Sequence, residues 1–260
     1  MRRLWLVPVL ILFFEVVAEA RTWPQLVLGG GYQAVILISN KKSSEWDGQF
    51  FPKQGHEKVW AGTWRANGQD YTGKASFNIA VPAYTTTKVV LTGDDAVPVQ
   101  SGYLFMWGTG GSSAYDVSIS YFYEYYKDGK LMNSNGSIEG AAHTTFYFPL
   151  EHSTTASGAV NTGIAWAPEI STTPNGFNMT ATLYLTDESG MGRLYASKTF
   201  PYSGHGAQFI TEIFPEISGA DFKGFLQLQA EYNVFLEVLR IDSTQSGFLL
   251  TSTPPDFLTP

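Results

Sequence analysis

The residues best suited to contact chemistry lie between positions 45 and 71. Trp46, Phe50, Phe51, Trp60, Trp64 and Tyr71 are interleaved there with Asp47, Gln49, Lys53, Gln54, His56, Glu57, Lys58, Arg65, Asn67 and Asp70. A flat ring flanked by amides and carboxylates can stack on the C–H face of a sugar while the polar groups take its hydroxyls. Trp and Tyr serve protein interfaces equally well, because they offer a large area and lose little rotamer entropy. Trp46, Trp60, Trp64 and Tyr71 are therefore the expected binding residues. The competing reading is a β-hairpin whose indoles cap the core of their own domain.

A second aromatic run, Tyr121, Phe122, Tyr123, Tyr125 and Tyr126, must place rings on both faces of a strand. Core or inter-domain packing is the expected use, since cross-strand aromatic pairs stabilise sheets directly.

Catalytic chemistry finds less support. His56, His143, His152 and His205 show no metal-ligand spacing such as H-x3-H, and there is no G-x-S-x-G elbow. His205, between Gly204 and Gly206, reads as a solvated turn histidine. The pairs Asp94-Asp95 and Asp187-Glu188 supply too few oxygens for a calcium ion, and no D-x-D-x-D-G loop is present. A glycosidase needs two carboxylates facing each other across a cleft, and spacing alone identifies no such pair. The sequons at Asn135 and Asn178 read as accidental in a bacterial chain. No catalytic residue, metal site or cofactor is expected.

The elements that must position these groups read as strands. In residues 117–125, Val117, Ile119, Tyr121, Tyr123 and Tyr125 share one face; in residues 179–186, Ala181, Leu183 and Leu185 alternate with Thr180, Thr182 and Tyr184. Phe225 and Leu228 break strict alternation, which predicts a bulge or a two-sided strand. Turn signals stand between the runs: Asn67-Gly68, Asp128-Gly129, Asn135-Gly136, Asn175-Gly176 and Ser189-Gly190. The one helical candidate is a single short turn within residues 211–218.

The segments also repeat in order. Trp23-Pro24-Gln25-Leu26 and the strand-like residues 33–40 correspond to Phe148-Pro149-Leu150 and residues 162–169. Residues 75–93 correspond to 197–216, 101–108 to 223–230, and 115–125 to 232–241. Ordered self-similarity of this kind is the mark of a repeated architecture. The expected fold is all-β, with two tandem antiparallel β-sandwich lobes related by an internal repeat, residues 21–144 and 145–260, joined near 142–145.

Composition narrows the class further. Residues 1–20 have a basic start, an apolar core and Ala18-Glu19-Ala20, the pattern of a cleaved signal peptide; an uncleaved anchor is the alternative. The absence of cysteine excludes a disulfide framework or thiolate site. In an exported chain this suits a bacterial envelope or secreted protein. A net charge of −7, with 16 Lys and Arg against 23 Asp and Glu, is a poor match to a nucleic-acid backbone. No stable membrane span is expected after cleavage.

The opening Trp23-Pro24-Gln25-Leu26-Val27-Leu28-Gly29-Gly30-Gly31-Tyr32, followed by Val35-Ile36-Leu37-Ile38-Ser39-Asn40, resembles the "FPQFA-GGG-W … LVLVNP" start of uncharacterised secreted bacterial, acidobacteria-like proteins with tandem β-sandwich repeats. Their "TGIALANP" and "FFPEL…FKGSLRI" segments are similar to Thr162-Gly163-Ile164-Ala165-Trp166-Ala167-Pro168 and to Ile213-Phe214-Pro215-Glu216-Ile217 with Asp221-Phe222-Lys223-Gly224-Phe225-Leu226. The resemblance covers almost the whole mature chain. It implies two lobes and brings no activity with it; residues 45–73 are longer and richer in Trp than its template. The expected function is that of an exported, periplasmic or secreted, non-enzymatic structural or adhesion-type protein with a polysaccharide or protein partner. The alternatives are a carbohydrate-binding module using the Trp-rich face at 45–71 and, behind it, a hydrolase with an unrecognised site.

Overall fold

The computed structural model describes residues 20–257 except 57, 156–157, 170–171, 188, 203, 245–246 and 254. The leader reading of residues 1–20 falls, apart from Ala20, outside the described residues. Strands make up 67% of the chain and helices 5%, so the all-β expectation holds.

The first sandwich begins with β1 (Ala20–Leu28), β2 (Tyr32–Asn40) and β3 (Trp46–Gln54). Three two-residue strands follow: β4 (Lys58–Val59), β5 (Arg65–Ala66) and β6 (Gln69–Asp70). Then come β7 (Phe77–Val81), β8 (Thr86–Thr92), β9 (Gln100–Thr109), β10 (Val117–Lys127) and β11 (Lys130–Ser137). The front sheet runs β1-β9-β3-β4, with β7 also on β3; the back sheet runs β11-β10-β2-β8-β5-β6. Period-two alternation explains the layering. Val117, Tyr121 and Tyr123 point inward from β10 to join Trp23, Ile36, Trp46 and Phe50 in one core.

The second sandwich comprises β12 (Ala142–Thr155), β13 (Gly158–Pro168), β14 (Phe177–Thr186), β15 (Gly192–Tyr202), β16 (Gly206–Phe209), β17 (Phe222–Thr244), β18 (Gly247–Thr253) and β19 (Asp256–Phe257). One α turn, α1 (Ile210–Ile213), and a 3-10 turn at Pro215–Ile217 lie between β16 and β17, where a short helix was expected. Unlike the first half, these strands form one hydrogen-bonded sheet, ordered β15-β14-β17-β12-β13-β16, with β18 on β17 and β19 on β12. Its β15-β14-β17-β12 part is the second front sheet, and β17 runs on to pair with β13. The start of β17 pairs with β14 and β12, and its end with β13 and β18. Phe225 opposes Tyr184 in unbroken register, so this is a two-sided strand rather than a bulge.

The pairings of the two sandwiches correspond in order. β9 lies between β1 and β3, and the first part of β17 lies between β12 and β14. β2 joins β8 and β10, and β13 joins β16 and the last part of β17. A matching glycine stands in each front sheet. Opposite Leu26, a Cβ on Gly102 would lie 2.1 Å from the Lys53 carbonyl oxygen. Opposite Leu150, one on Gly224 would lie 2.0 Å from the Tyr184 carbonyl oxygen. Only a residue without a side chain permits so close an approach between neighbouring strands.

Turn chemistry explains most boundaries. Asp128 and Gly129 take φ of 50° and 73°, and Asn67 and Gly68 take 49° and 81°, which are the positive values a two-residue hairpin needs. Asn135-Gly136 is a correction to the sequence reading. It lies inside β11, with Gly136 opposite Phe122, because the ladder begun at Asp128-Gly129 continues through it.

Candidate functional site

The Trp-rich segment is interior. Trp46, Trp60 and Trp64 are at most 1% exposed, and Tyr71 is half-buried against their cluster. The Trp46 indole N–H donates to the Ser113 carbonyl (2.8 Å). The Trp64 ring stacks on Tyr71 at 5.1 Å and meets Phe77 at 5.8 Å. The expected exposed binding face on Trp46, Trp60, Trp64 and Tyr71 is therefore corrected: these rings fill the first sandwich. The competing reading is right about burial, since so large an apolar area does more inside a core, but not about the hairpin: the segment crosses from β3 and β4 in the front sheet to β5 and β6 in the back sheet.

The tyrosine run is divided in the same manner. Tyr121 and Tyr123 are buried, and both hydroxyls donate to the Gln25 carbonyl. Burial raises both phenol pKa values well above the ordinary range.

The second sandwich covers the front sheet of the first. Phe51, Tyr103 and Phe105 point away from their own core and pack with Ala167, Trp107 and Phe235. A polar seam runs beside this cluster. The Ser137 hydroxyl donates to Glu237 Oε1 (2.8 Å), and the Gly140 N–H donates to the Thr22 carbonyl (2.9 Å). The connection at residues 138–141 is pinned further by Arg21, which pairs with Glu139 at 2.7 Å.

His205 belongs to this seam, which corrects its reading as a solvated turn residue. Its N–H donates to the Gly55 carbonyl (3.1 Å), its Nε2 lies 3.3 Å from Gln25 Oε1, and its ring stacks on Tyr103. Loss of water lowers its pKa to about 4, against a smaller upward pull from a hydrogen bond to the Pro24 backbone. His56 Nε2 faces the Thr173 carbonyl at 2.9 Å, and His152 stacks on Phe222. Neither His56 nor His205 is joined by these bonds to a serine or a carboxylate. Asp95 and Asp94 accept the backbone N–H groups of Gly31 and Ala96. Asp187 caps its own turn through Ser189 and Met191, which lowers its pKa, Ser189 foremost. Among the described residues, no three His, Cys, Asp or Glu side chains gather as a metal site.

The surface with the richest contact chemistry is the outer face of the second front sheet. Three rows cross it: Thr199, Thr180, Gln229 and Thr145; then Ser197, Thr182, Gln227 and Tyr147; then Leu194, Tyr184, Phe225 and Pro149. All are half-buried or exposed, and none is charged. Tyr184 and Phe225 stack with centroids 4.4 Å apart and planes within 8°. Hydroxyl pairs link Thr180 to Thr199 (2.9 Å) and Thr182 to Ser197 (3.1 Å), and the Gln227 amide donates to the Tyr147 hydroxyl (2.9 Å). With Gly102 set against Gly224, the matching positions of the first sandwich are Phe51, Tyr103, Phe105 and Trp107. Those are apolar and covered by the neighbouring lobe; here Thr182, Phe225, Gln227 and Gln229 are not. Sequence reasoning missed this face because its residues come from four separated strands.

No protein-family model matches the chain, and no curated protein matches its sequence. Among the described residues no helix is long and apolar enough to cross a membrane.

Proposed function

We propose that the protein is an exported, non-enzymatic binding protein, and that its ligand is a neutral polysaccharide held on the outer face of β15-β14-β17-β12. The observation that carries this reading is the stacked Tyr184–Phe225 pair, set beside rows of hydroxyls and amides without a charge. Sugar rings offer apolar C–H faces to the exposed parts of such an aromatic pair, and their hydroxyls can both donate and accept at Thr, Ser and Gln. The uncharged surface also favours a neutral chain over an acidic one.

Affinity electrophoresis in gels containing soluble neutral glycans tests the reading. Wild-type protein should be retarded by at least one neutral glycan, and Phe225→Ala or Gln227→Ala should migrate freely. Unretarded wild type, or full retardation of both variants, would refute it. Export is tested by intact mass: the secreted chain should begin at Arg21, and retention of residues 1–20 would count against cleavage.

A second reading rests on the edge of the same sheet. β15 ends the strand order, and Met191, Leu194 and Tyr195 near its start are 66%, 65% and 46% exposed. Such an edge suits an extended strand of a protein partner. Met191→Lys, outside the three rows, would weaken that contact and leave glycan retardation by the Phe225 region in place.

A further inference from the structure

One end of the second sandwich is open where the same end of the first is plugged. The registers make the comparison residue by residue. Leu26 opposes Gly102, and Leu150 opposes Gly224. Tyr121 opposes Ile36, and Val238 opposes Ile164. Tyr121 and Val238 also stand at the same distance before their hairpin turns, the strands ending at Lys127 and Thr244. Tyr121 therefore corresponds to Val238, and Tyr123 to Arg240.

In the first sandwich the two tyrosines fill the space. Their rings lie 5.0 Å apart, Tyr121 meets Trp23 at 6.0 Å, and both hydroxyls reach the Gln25 carbonyl next to Leu26. In the second sandwich Val238 is far shorter, and the Arg240 side chain turns to the rim, where it meets Glu151 at 2.7 Å and Asp242 at 3.1 Å. A half-open cavity of about 500 Å3 results. Pro149, Leu150, Thr162 and Val238 line its walls, and Glu151, Lys223 and Arg240 its mouth.

We infer that this cavity is a binding site for a small amphiphile, an apolar tail with a carboxylate head. Three features specify that class. The volume lies within the range of small-molecule sites, about 300–1,000 Å3. Leu150 and Val238 are almost fully buried and offer the tail an apolar wall. At the mouth Lys223 and Arg240 meet Glu151 and Asp242; the Lys223–Glu151 pair is the long one at 3.4 Å, and the Lys223 side chain stays 76% exposed, so its ammonium can turn to an incoming anion. The Thr162 hydroxyl donates to the Glu151 carbonyl and accepts from the Glu151 N–H, so it is turned toward the protein. Thr186, the other lining hydroxyl, is exposed, so hydrogen bonding is offered at the opening rather than along Leu150, Thr162 and Val238. The site borders the neutral outer face at Pro149, which belongs to both, while Leu150, Thr162 and Val238 belong to the cavity alone.

The test uses the full secreted chain with sodium decanoate below its micelle concentration, and decanol as the uncharged comparison. Calorimetry and methyl NMR should show decanoate binding with shifts at the Leu150 and Val238 methyls. Val238→Tyr, which restores the first sandwich's plug, should weaken decanoate about tenfold or more. Lys223→Glu should weaken decanoate and leave decanol unchanged. Should Val238→Tyr fail to fold, the methyl shifts of the wild type and the Lys223→Glu contrast decide the matter. No decanoate binding, shifts confined to other methyls, or indifference to Val238→Tyr would overturn the site. Equal loss of decanoate and decanol in Lys223→Glu would overturn the assigned head group. Gln227→Ala, whose partner Tyr147 does not line the cavity, should not alter decanoate binding, so failure here is separable from failure of the glycan reading.

Discussion

His205 couples the lobe seam to acid. The folded protein lowers its pKa from 6.5 to about 4 because the half-buried ring, held between Gln25 and Tyr103, loses much of its water. The unfolded chain gains that proton near pH 6.5 and the folded one only near pH 4. Between those values the unfolded state binds more protons, so stability falls as pH falls, and the loss is complete below the folded value. At about 1.4 kcal/mol per pH unit, the difference corresponds to about 3 kcal/mol. Set against a total stability of about 5–15 kcal/mol, that is a large fraction. His205→Gln keeps an amide near Gln25 and removes the titration. Urea unfolding between about pH 7 and pH 4 should then show a shallower decline in the variant, with the curves parting below about pH 6.5. The other histidines and the carboxylates contribute equally to both proteins and cancel in the difference. Parallel curves throughout that window would refute the desolvated state of this ring.

Two further perturbations probe the frame. Trp64→Ala removes a fully buried indole and should cost about 3–5 kcal/mol in urea unfolding, while glycan retardation of the folded variant stays unchanged; lost retardation at an unchanged midpoint would return this ring to a binding role. Gly224→Ala forces a Cβ to within 2.0 Å of the Tyr184 carbonyl oxygen and should cost about 1–3 kcal/mol, whereas Gly219→Ala, with nothing within 4 Å, should be tolerated. Equal midpoints for the two alanine variants would show that β14 and β17 can move apart.

The strand character of residues 117–125 and 179–186 was legible in the sequence, because alternation has the period of the pleat itself and needs no knowledge of the partner strand. So were Asp128-Gly129 and Asn67-Gly68, whose two-residue turns demand positive φ from the chain locally. Asn135-Gly136 carries the same local signal, and there the ladder to β10 overrode it.

Local chemistry along the chain sets the type and order of the elements. Only tertiary structure decided which side of each became interior. Trp46, Trp60 and Trp64 have the same composition whether they face a sugar or a core, and stacking of the two sheets put them inside. Tyr103, Phe105 and Trp107 read as one apolar run with Leu104 and Met106, yet they face the other lobe, because that lobe covers the outer side of β9. His205 lost much of its water to the same contact. The neutral face and the cavity arise from residues far apart along the chain. Burial and opposition across strands depend on distances in space, which local periodicity does not encode.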